Sequence, residues 1–201
     1  PGCRDTMQYV VNVPQIPVAD FSAQDVCLGA PVTFSNTSSV AAGDSITTFS
    51  WSFQSGAPAT SNALNPVVAY AAPGTTTASL IVTTNKGCKD TLSQQVTVFA
   101  QPVAAFTVAD VCLGDTLRFV NQSSINSLVD TLAFSWTITG ATPPTNQSLN
   151  PQVIIASPDT LPVSLIVISS SGCTDTLNQE VVVHPLPAAA FSAPLVCAGS
   201  P

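Results

Sequence analysis

Charged residues are scarce in this sequence. Asp, Glu, Lys and Arg make up 7% of its 201 residues, only four of these are Lys or Arg, and the formal net charge is −7 at pH 7. Proteins that bind nucleic acid or acidic lipid surfaces carry clusters of basic side chains. The sequence therefore predicts neither nucleic acid nor an anionic membrane surface as a partner.

Long apolar runs are also missing. No run approaches the roughly 20 residues that a helix needs to cross a bilayer, so the sequence predicts no membrane span. Disorder is not expected either. Disordered segments contain too few apolar residues to form a core, whereas 45% of the residues here are hydrophobic.

Few residues of the kinds that carry catalysis are present. His184 is the single histidine, and no acidic or nucleophilic residue lies beside it. No pair of carboxylates suited to general acid and base catalysis is evident. The six cysteines lie far apart, whereas zinc sites use close pairs. We therefore expect no enzyme, no cofactor and no metal ion, and we interpret the cysteines as disulfide partners in an oxidising compartment.

What the sequence does contain is an internal repeat. Residues 17–101 align with residues 102–186 without a gap, and 37 of the 85 positions are identical. A Val-Cys-x-Gly motif and a Gly-Cys-x-Asp-Thr motif recur with the same period. A fixed period of this kind indicates a tandem array of structural units. We expect the sequence to be part of a much longer protein.

The period predicts four segments. Residues 17–101 and 102–186 form two complete repeats. Residues 1–16 align with the last strand of a preceding repeat, and residues 187–201 align with the first strand of a following one. Prolines between the repeats restrict φ and favour extended chain, so we expect semi-rigid joints between the domains.

Within each repeat, apolar residues alternate with polar ones, as in β-strands. In the clearest strand, Phe49, Trp51 and Phe53 share one face. Short strands separated by turn residues predict an antiparallel sandwich. The predicted fold class is therefore all-β, with tandem immunoglobulin-like β-sandwiches arranged end to end. The strands predicted for the first repeat are 18–22, 32–36, 48–53, 67–70, 78–82 and 91–98, and the second repeat follows the same plan.

The motifs on these strands resemble the PKD family of immunoglobulin-like domains. The resemblance covers both complete repeats, although Ile155 replaces the tyrosine of the motif in the second one. The cysteine motifs are similar to those of PKD repeats in long surface proteins and adhesins of Bacteroidota, which implies an extracellular location at a bacterial cell surface. In the first repeat the motif residues are Phe49, Trp51, Phe53, Gly56, Asn65, Pro66, Tyr70, Pro73, Gly74, Leu80 and Val82.

An immunoglobulin-like topology bears on how the cysteines pair. It places Cys27 and Cys88 at opposite ends of one sandwich, about 25–30 Å apart, whereas a disulfide needs Cα atoms about 4.4–6.8 Å apart. We therefore favour an inter-domain disulfide between Cys27 and Cys173. The alternative keeps the disulfides within the repeats, as Cys27–Cys88 and Cys112–Cys173. The remaining cysteines are expected to pair with repeats outside this sequence.

A second recurring signal is Asp followed by Ser or Thr and then by an aliphatic residue or Met. Seven of the ten Asp residues belong to it. It resembles the O-glycosylation signal of exported Bacteroidota proteins, although Asp-Thr is also common in turns. The candidate acceptors are Thr6, Ser45, Thr91, Thr116, Thr131, Thr160 and Thr176.

Repeats, resemblance and cysteines together predict a structural rod or filament segment of a very long exported bacterial surface protein. It would act as an adhesin or gliding stalk that is stiffened by disulfides and O-glycosylated. Its partners would be neighbouring repeats of the same chain, further copies in a filament and surface polysaccharide. One alternative is an accessory polysaccharide-binding module of a secreted multidomain enzyme, and another is a self-assembling extracellular fibre formed by strand exchange.

Overall fold

The structure is a computed structural model that describes residues 2–9 and 13–192. The chain divides into two compact units, Pro1–Gln101 and Pro102–Pro201. All regular secondary structure in the described residues is β, which confirms the predicted all-β, immunoglobulin-like class. These residues contain no helix that is long and apolar enough to span a membrane.

The first unit is a β-sandwich whose strands are two to eleven residues long. One layer is a five-stranded sheet in the order β2-β10-β9-β5-β7, and three-stranded β3-β8-β6 and two-stranded β1-β4 pairings complete the fold. The strands are β1 Phe21–Ser22, β2 Val26–Cys27, β3 Val32–Thr33, β4 Ser35–Asn36, β5 Ile46–Phe53, β6 Gly56–Ala57, β7 Thr60–Ser61, β8 Val67–Tyr70, β9 Gly74–Thr84 and β10 Lys89–Phe99.

The core of this unit follows from the alternation in the sequence. Trp51 and Phe53 on β5 face inward and are buried, whereas the alternating Ser50 and Ser52 face solvent. The Trp51 ring packs edge-on against Phe21, with ring centroids 5.0 Å apart. Edge-to-face packing is a favoured arrangement of buried aromatic rings. The core therefore joins strand β1 at the start of the repeat to the central strand β5.

The second unit repeats this plan. Its five-stranded sheet has the order β13-β21-β20-β17-β18, and three two-stranded pairings accompany it. The Trp136 ring again packs edge-on against a phenylalanine, Phe106, at a centroid distance of 5.0 Å. The strands are β11 Pro102–Val103, β12 Phe106–Thr107, β13 Val111–Cys112, β14 Thr116–Arg118, β15 Val120–Asn121, β16 Ser124–Ile125, β17 Leu132–Ile138, β18 Thr145–Asn146, β19 Gln152–Ile154, β20 Asp159–Ser169 and β21 Thr174–His184.

The observed strands differ from the sequence prediction in several places, and the short strands β6 and β7 have no predicted counterpart. The predicted strand 32–36 is interrupted at Phe34, because its two halves pair with different strands: β3 with β8, and β4 with β1. The short strand β2 is a further addition, and it runs parallel to β10. The first strand of the repeat thus crosses from one layer of the sandwich to the other.

Neither predicted terminal segment has a strand in its described residues. Residues 2–9 and 13–16 are described and are not in a strand, whereas residues 10–12 of the strand predicted within 1–16 lie outside the described residues. Residues 187–192 also lack a strand, and the rest of the segment 187–201 lies outside the described residues.

Candidate functional site

The cysteines of the first unit lie at opposite ends of strand β10. Cys88 immediately precedes β10, and Cys27 on β2 is in register with Phe99, the last residue of that strand. Along β10, eleven residues of extended chain therefore separate Cys88 from the position of Cys27. This is about 35 Å at about 3.3 Å per residue. A disulfide between them would need a Cα distance of about 4.4–6.8 Å.

The second unit has the same geometry. Cys173 precedes β21, and Cys112 on β13 is in register with His184 at the far end of that strand. Neither sandwich brings its own two cysteines together.

The state of the thiols agrees with this geometry. Cys27 and Cys173 are disulfide-bonded, whereas Cys3, Cys88 and Cys112 carry free thiols. The alternative pairs Cys27–Cys88 and Cys112–Cys173 are therefore not formed, because each would require a cysteine that is free and lies at the wrong end of the last strand. The sixth cysteine, Cys197, lies outside the described residues.

The strand that carries the first cysteine of each repeat is held by an aspartate. The backbone N–H of Thr97 donates to Asp25 Oδ1 at 2.7 Å, and in the second unit the N–H of Val182 donates to Asp110 Oδ1 at 2.8 Å. In each unit the aspartate accepts a hydrogen bond from a backbone N–H of the last strand, β10 or β21. This N–H lies directly beside the two residues of that strand that pair in parallel with β2 or β13. No local sequence pattern reveals this contact, because the two partners are 72 residues apart in the chain in both units.

The second cysteine of each repeat follows a tight turn. Gly87 and Gly172 adopt φ values of 84° and 85°, which side chains with a Cβ rarely tolerate. The N–H of Cys88 donates to Thr84 Oγ1 at 3.2 Å, and the N–H of Cys173 donates to Ser169 Oγ at 3.1 Å. The backbone turn before Cys88 and the turn before Cys173 therefore have the same conformation and the same hydrogen bond.

The aspartate of the Gly-Cys-x-Asp-Thr motif ties the last strand to the first. The N–H of Ala19 donates to Asp90 Oδ2 at 2.8 Å, and the N–H of Ala104 donates to Asp175 Oδ2 at the same distance. The hydrogen bond from Ala19, followed by one from the Thr91 backbone, lowers the pKa of Asp90 below its ordinary value. Such bonds stabilise the ionised carboxylate. This structural role is separate from any role in modification.

Six of the seven candidate O-glycosylation acceptors are exposed. Thr116, on β14, is the half-buried one. Asp130, beside Thr131, accepts hydrogen bonds from the hydroxyls of Ser170 and Ser171. The Ser171, Ser127 and Ser170 hydroxyls lower the pKa of Asp130. The exposed acceptors are Thr6, Ser45, Thr91, Thr131, Thr160 and Thr176.

The two tryptophans belong to the cores and do not form a binding surface. Trp51 and Trp136 are 1% and 0% exposed. Their indole N–H groups donate to the carbonyls of Ala63 and Ser148 at 2.9 and 3.0 Å. Over residues 13–184, every aromatic side chain is buried or half-buried. No group of three or more His, Cys, Asp or Glu side chains suited to a metal ion is found in the described part of the chain.

Comparison with known families finds one match. A family model described as PKD domain matches residues 14–98, which lie within the first unit. No curated protein matches the chain.

Several solved structures are similar. The PKD1 domain of Vibrio anguillarum Epp is 28% identical, with 43% of this chain and 96% of that chain covered and a TM-score of 0.39. The PKD1 domain of the Vibrio cholerae metalloprotease PrtV is 34% identical, with 41% and 96% covered and a TM-score of 0.37. The three N-terminal domains of the bacteriophage RB49 outer capsid protein Hoc are 8% identical, with 86% and 71% covered and a TM-score of 0.49.

Proposed function

This chain belongs to the PKD domain family over residues 14–98, and we propose that it is a structural segment of a long exported bacterial surface protein. In this proposal the repeats form a stalk or filament that serves adhesion or gliding at the cell surface. The repeats contribute mechanical continuity, and the two sandwiches carry no catalytic role.

The arrangement of the cysteines carries this proposal. In each repeat they lie at opposite ends of the last strand, at Cys27 and Cys88 or at Cys112 and Cys173. Cysteines placed in this way suit links between successive domains. We assign the disulfide to Cys27 and Cys173, each of which is disulfide-bonded. A disulfide restricts the conformations available to the chain that it closes, so a link between domains would limit bending at their joint.

Modification of the surface is the second part of the proposal. The exposed Thr and Ser residues that follow Asp are the acceptors for O-linked glycan. The surface of such a stalk carries few charges, because charged residues make up only 7% of the sequence. A glycan layer would keep such stalks soluble and resistant to proteases.

Burial of the aromatic rings favours this structural role over polysaccharide binding. Sugar-binding surfaces use exposed aromatic rings, and no exposed row of them occurs in residues 13–184. The exposed rings of Tyr9 and Phe191 lie outside the two sandwiches.

A digest under non-reducing conditions tests the disulfide assignment directly. Trypsin cleaves after Arg4, Lys86, Lys89 and Arg118, which separates Cys27, Cys88, Cys112 and Cys173 into four peptides. In a Cys197→Ser variant, we expect peptide 5–86 linked to peptide 119–201. A link between peptides 5–86 and 87–89, or between 90–118 and 119–201, would contradict the proposal.

The mechanical role needs a second measurement. Small-angle X-ray scattering on the intact chain should give a smaller average maximum dimension for a Cys27→Ser, Cys173→Ser double variant, because the joint then bends more freely. The matched control is Cys88→Ser, Cys112→Ser, which removes two free thiols and should leave the scattering unchanged. Equal scattering from both double variants would contradict the proposal that the Cys27–Cys173 disulfide stiffens the joint.

A further inference from the structure

The second unit has an open cleft on the outer face of its five-stranded sheet, which we call the outer cleft. Its volume is about 420 Å³, within the range of about 300–1,000 Å³ that small-ligand sites occupy. Two rows of residues border it, and each row runs across β17, β20 and β21 or the residue that follows β17. The first row is Thr137, Ser164 and Asn178, and the second is Thr139, Pro162 and Glu180.

The outer cleft combines an apolar ring with polar groups beside it. Pro162 is exposed on the central strand β20, and a proline side chain loses no rotamer freedom when another group packs on it. Asn178 and Glu180 are exposed on the neighbouring strand β21, about 7 Å apart. Their amide and carboxylate can both donate and accept hydrogen bonds. This combination suits a sugar, which has C–H groups on its ring faces and hydroxyls around its edge.

The first unit does not repeat this chemistry. Glu180 is the only glutamate in the sequence. In the first unit the Ser79 and Ser93 hydroxyls are hydrogen-bonded to each other at 2.7 Å, whereas the side chains of Asn178 and Glu180 have no hydrogen bond to another described residue. The polar groups of the outer cleft are therefore available to a ligand. The residues aligned with Pro162, Asn178 and Glu180 are Thr77, Ser93 and Gln95.

Two of the proposed glycan acceptors lie on the same sheet face as the outer cleft. Thr176 lies two residues before Asn178 on β21, and Thr160 lies two residues before Pro162 on β20. Because β20 and β21 are antiparallel, the two threonines lie beyond opposite ends of the cleft, each about 7 Å from the nearest row. A glycan on Thr176 that extends along β21 would reach Asn178 first and Glu180 next.

We propose that the O-linked glycan of Thr176 binds in the outer cleft, with a sugar ring packed on Pro162 and its hydroxyls bonded to Asn178 and Glu180. This inference rests on the proposed modification of Thr176. A cleft without aromatic rings binds free sugars weakly, but attachment gives the glycan an effective concentration in the millimolar range. A dissociation constant of about 1 mM then fills the cleft about half of the time. Because the contact exists only in the folded unit, it stabilises that unit.

Nuclear magnetic resonance of the glycosylated chain tests this binding. The protein carries Thr160→Ala, which leaves Thr176 as the only proposed acceptor beside the outer cleft, and it is exported from a bacterium that O-glycosylates the Asp-Thr-Leu signal. We expect nuclear Overhauser effects from sugar protons to the Pro162 ring and to the Asn178 side-chain amide. In an Asn178→Ala, Glu180→Ala double variant, the effect at Pro162 should fall at least about tenfold, because each lost hydrogen bond weakens binding about fivefold.

Two matched variants identify the contacts. Pro162→Thr introduces the residue of the first repeat and should weaken the effect at Asn178. Ser93→Ala, Gln95→Ala changes the aligned positions of the first unit and should leave the effects at Pro162 and Asn178 unchanged.

Mass spectrometry of the same samples measures glycan occupancy at Thr176, which the variants should not change because the Asp-Thr-Leu signal stays intact. Glycan at Thr176 without an effect at Pro162 or Asn178 would overturn binding in the outer cleft and leave the proposed modification standing. Effects that persist in the Asn178→Ala, Glu180→Ala variant would also overturn it. An unmodified Thr176 would overturn both the binding and the proposed modification of this residue.

Discussion

Gly56 lies directly opposite Tyr70 across strands β6 and β8. A Cβ at Gly56 would lie 2.6 Å from Val68 Cγ1, 2.8 Å from Phe53 Cβ and 3.4 Å from Tyr70 Cε1. In the second unit the corresponding pair is Ala141 and Ile155, which form an isolated bridge. The first repeat thus combines a glycine with a large ring, and the second combines an alanine with a smaller side chain.

Substitution Gly56→Ala should therefore destabilise the first unit. The two closest contacts lie below 3.0 Å, so the core must shift, and overpacking of this kind costs about 1–3 kcal/mol. Chemical denaturation followed by Trp51 fluorescence, in a Trp136→Phe background, measures the free energy of unfolding of this unit.

Two matched variants test the cause. Tyr70→Phe keeps the ring and removes a hydroxyl that is buried without a hydrogen-bond partner, so it should not lower the free energy of unfolding. Ala141→Gly in the second unit opens space without creating a clash. An unchanged stability in Gly56→Ala would show that β6 accommodates a methyl group.

Replacement of the aspartate beside β2 should loosen that strand selectively. Asp25→Ala removes the acceptor for the Thr97 N–H, and a net loss of about 1 kcal/mol increases local opening about fivefold. Hydrogen exchange of the Leu28 amide, which donates to Phe99 O at 2.8 Å, reports that opening. The Leu28 amide should exchange about five times faster.

The second unit provides the control for this experiment. Asp110→Ala should accelerate exchange at Leu113, whose N–H donates to His184 O, and leave Leu28 unchanged. Exchange at Leu28 that is equally fast in Asp25→Ala and in the unmodified protein would mean that the parallel pairing alone holds β2 in place.

The sequence predicts the core better than it predicts these anchors. The alternation around Trp51 identifies β5 and its buried face, because each residue's orientation follows from its neighbours. Strand β2 has two residues, which is too short for alternation to reveal. Asp25 and Asp90 contact backbone amides 72 and 71 residues away, and no local pattern encodes such distant partners. Cys88 is free because the strand topology places it at the other end of β10 from Cys27. The spacing of the two cysteines in the sequence does not show this.

The first unit should lose stability in acid partly through Asp90. The pKa of Asp90 is lowered in the folded state, whereas an unfolded Asp has a pKa of about 3.9. The stabilisation is therefore fully present above about pH 4 and is lost as the pH falls through the lower, folded-state pKa. Asp90→Asn should lower the melting temperature at pH 7 and flatten its decline below pH 4.

Thermal unfolding followed by Trp51 fluorescence between pH 2 and pH 7, in the Trp136→Phe background, measures this effect. Asp115→Asn changes an exposed carboxylate in the second unit and should leave the profile of the first unit unchanged. If Asp90→Asn and the unmodified protein show the same acid slope, the Ala19 hydrogen bond does not contribute to acid sensitivity.

Glycan occupancy should follow exposure among the proposed acceptors. A transferase that acts on the folded chain needs access to the hydroxyl, and Thr116 is half-buried in β14 and paired with Ile154. Thr131 and Thr176 are exposed. The protein is exported from a bacterium that has this O-glycosylation system, and its glycopeptides are analysed by mass spectrometry. The glycan occupancy at Thr131 and Thr176 should be higher than at Thr116.

The Asp residues allow a control that separates modification from folding. Asp130→Asn keeps an acceptor for the Ser170 and Ser171 hydroxyls but destroys the Asp-Thr-Leu signal, so it should abolish glycan at Thr131 and leave Thr176 occupied. Glycan that persists at Thr131 in this variant would show that the signal is not what the transferase recognises. Unmodified serines and threonines throughout the exported protein would show that these tripeptides serve the turns alone.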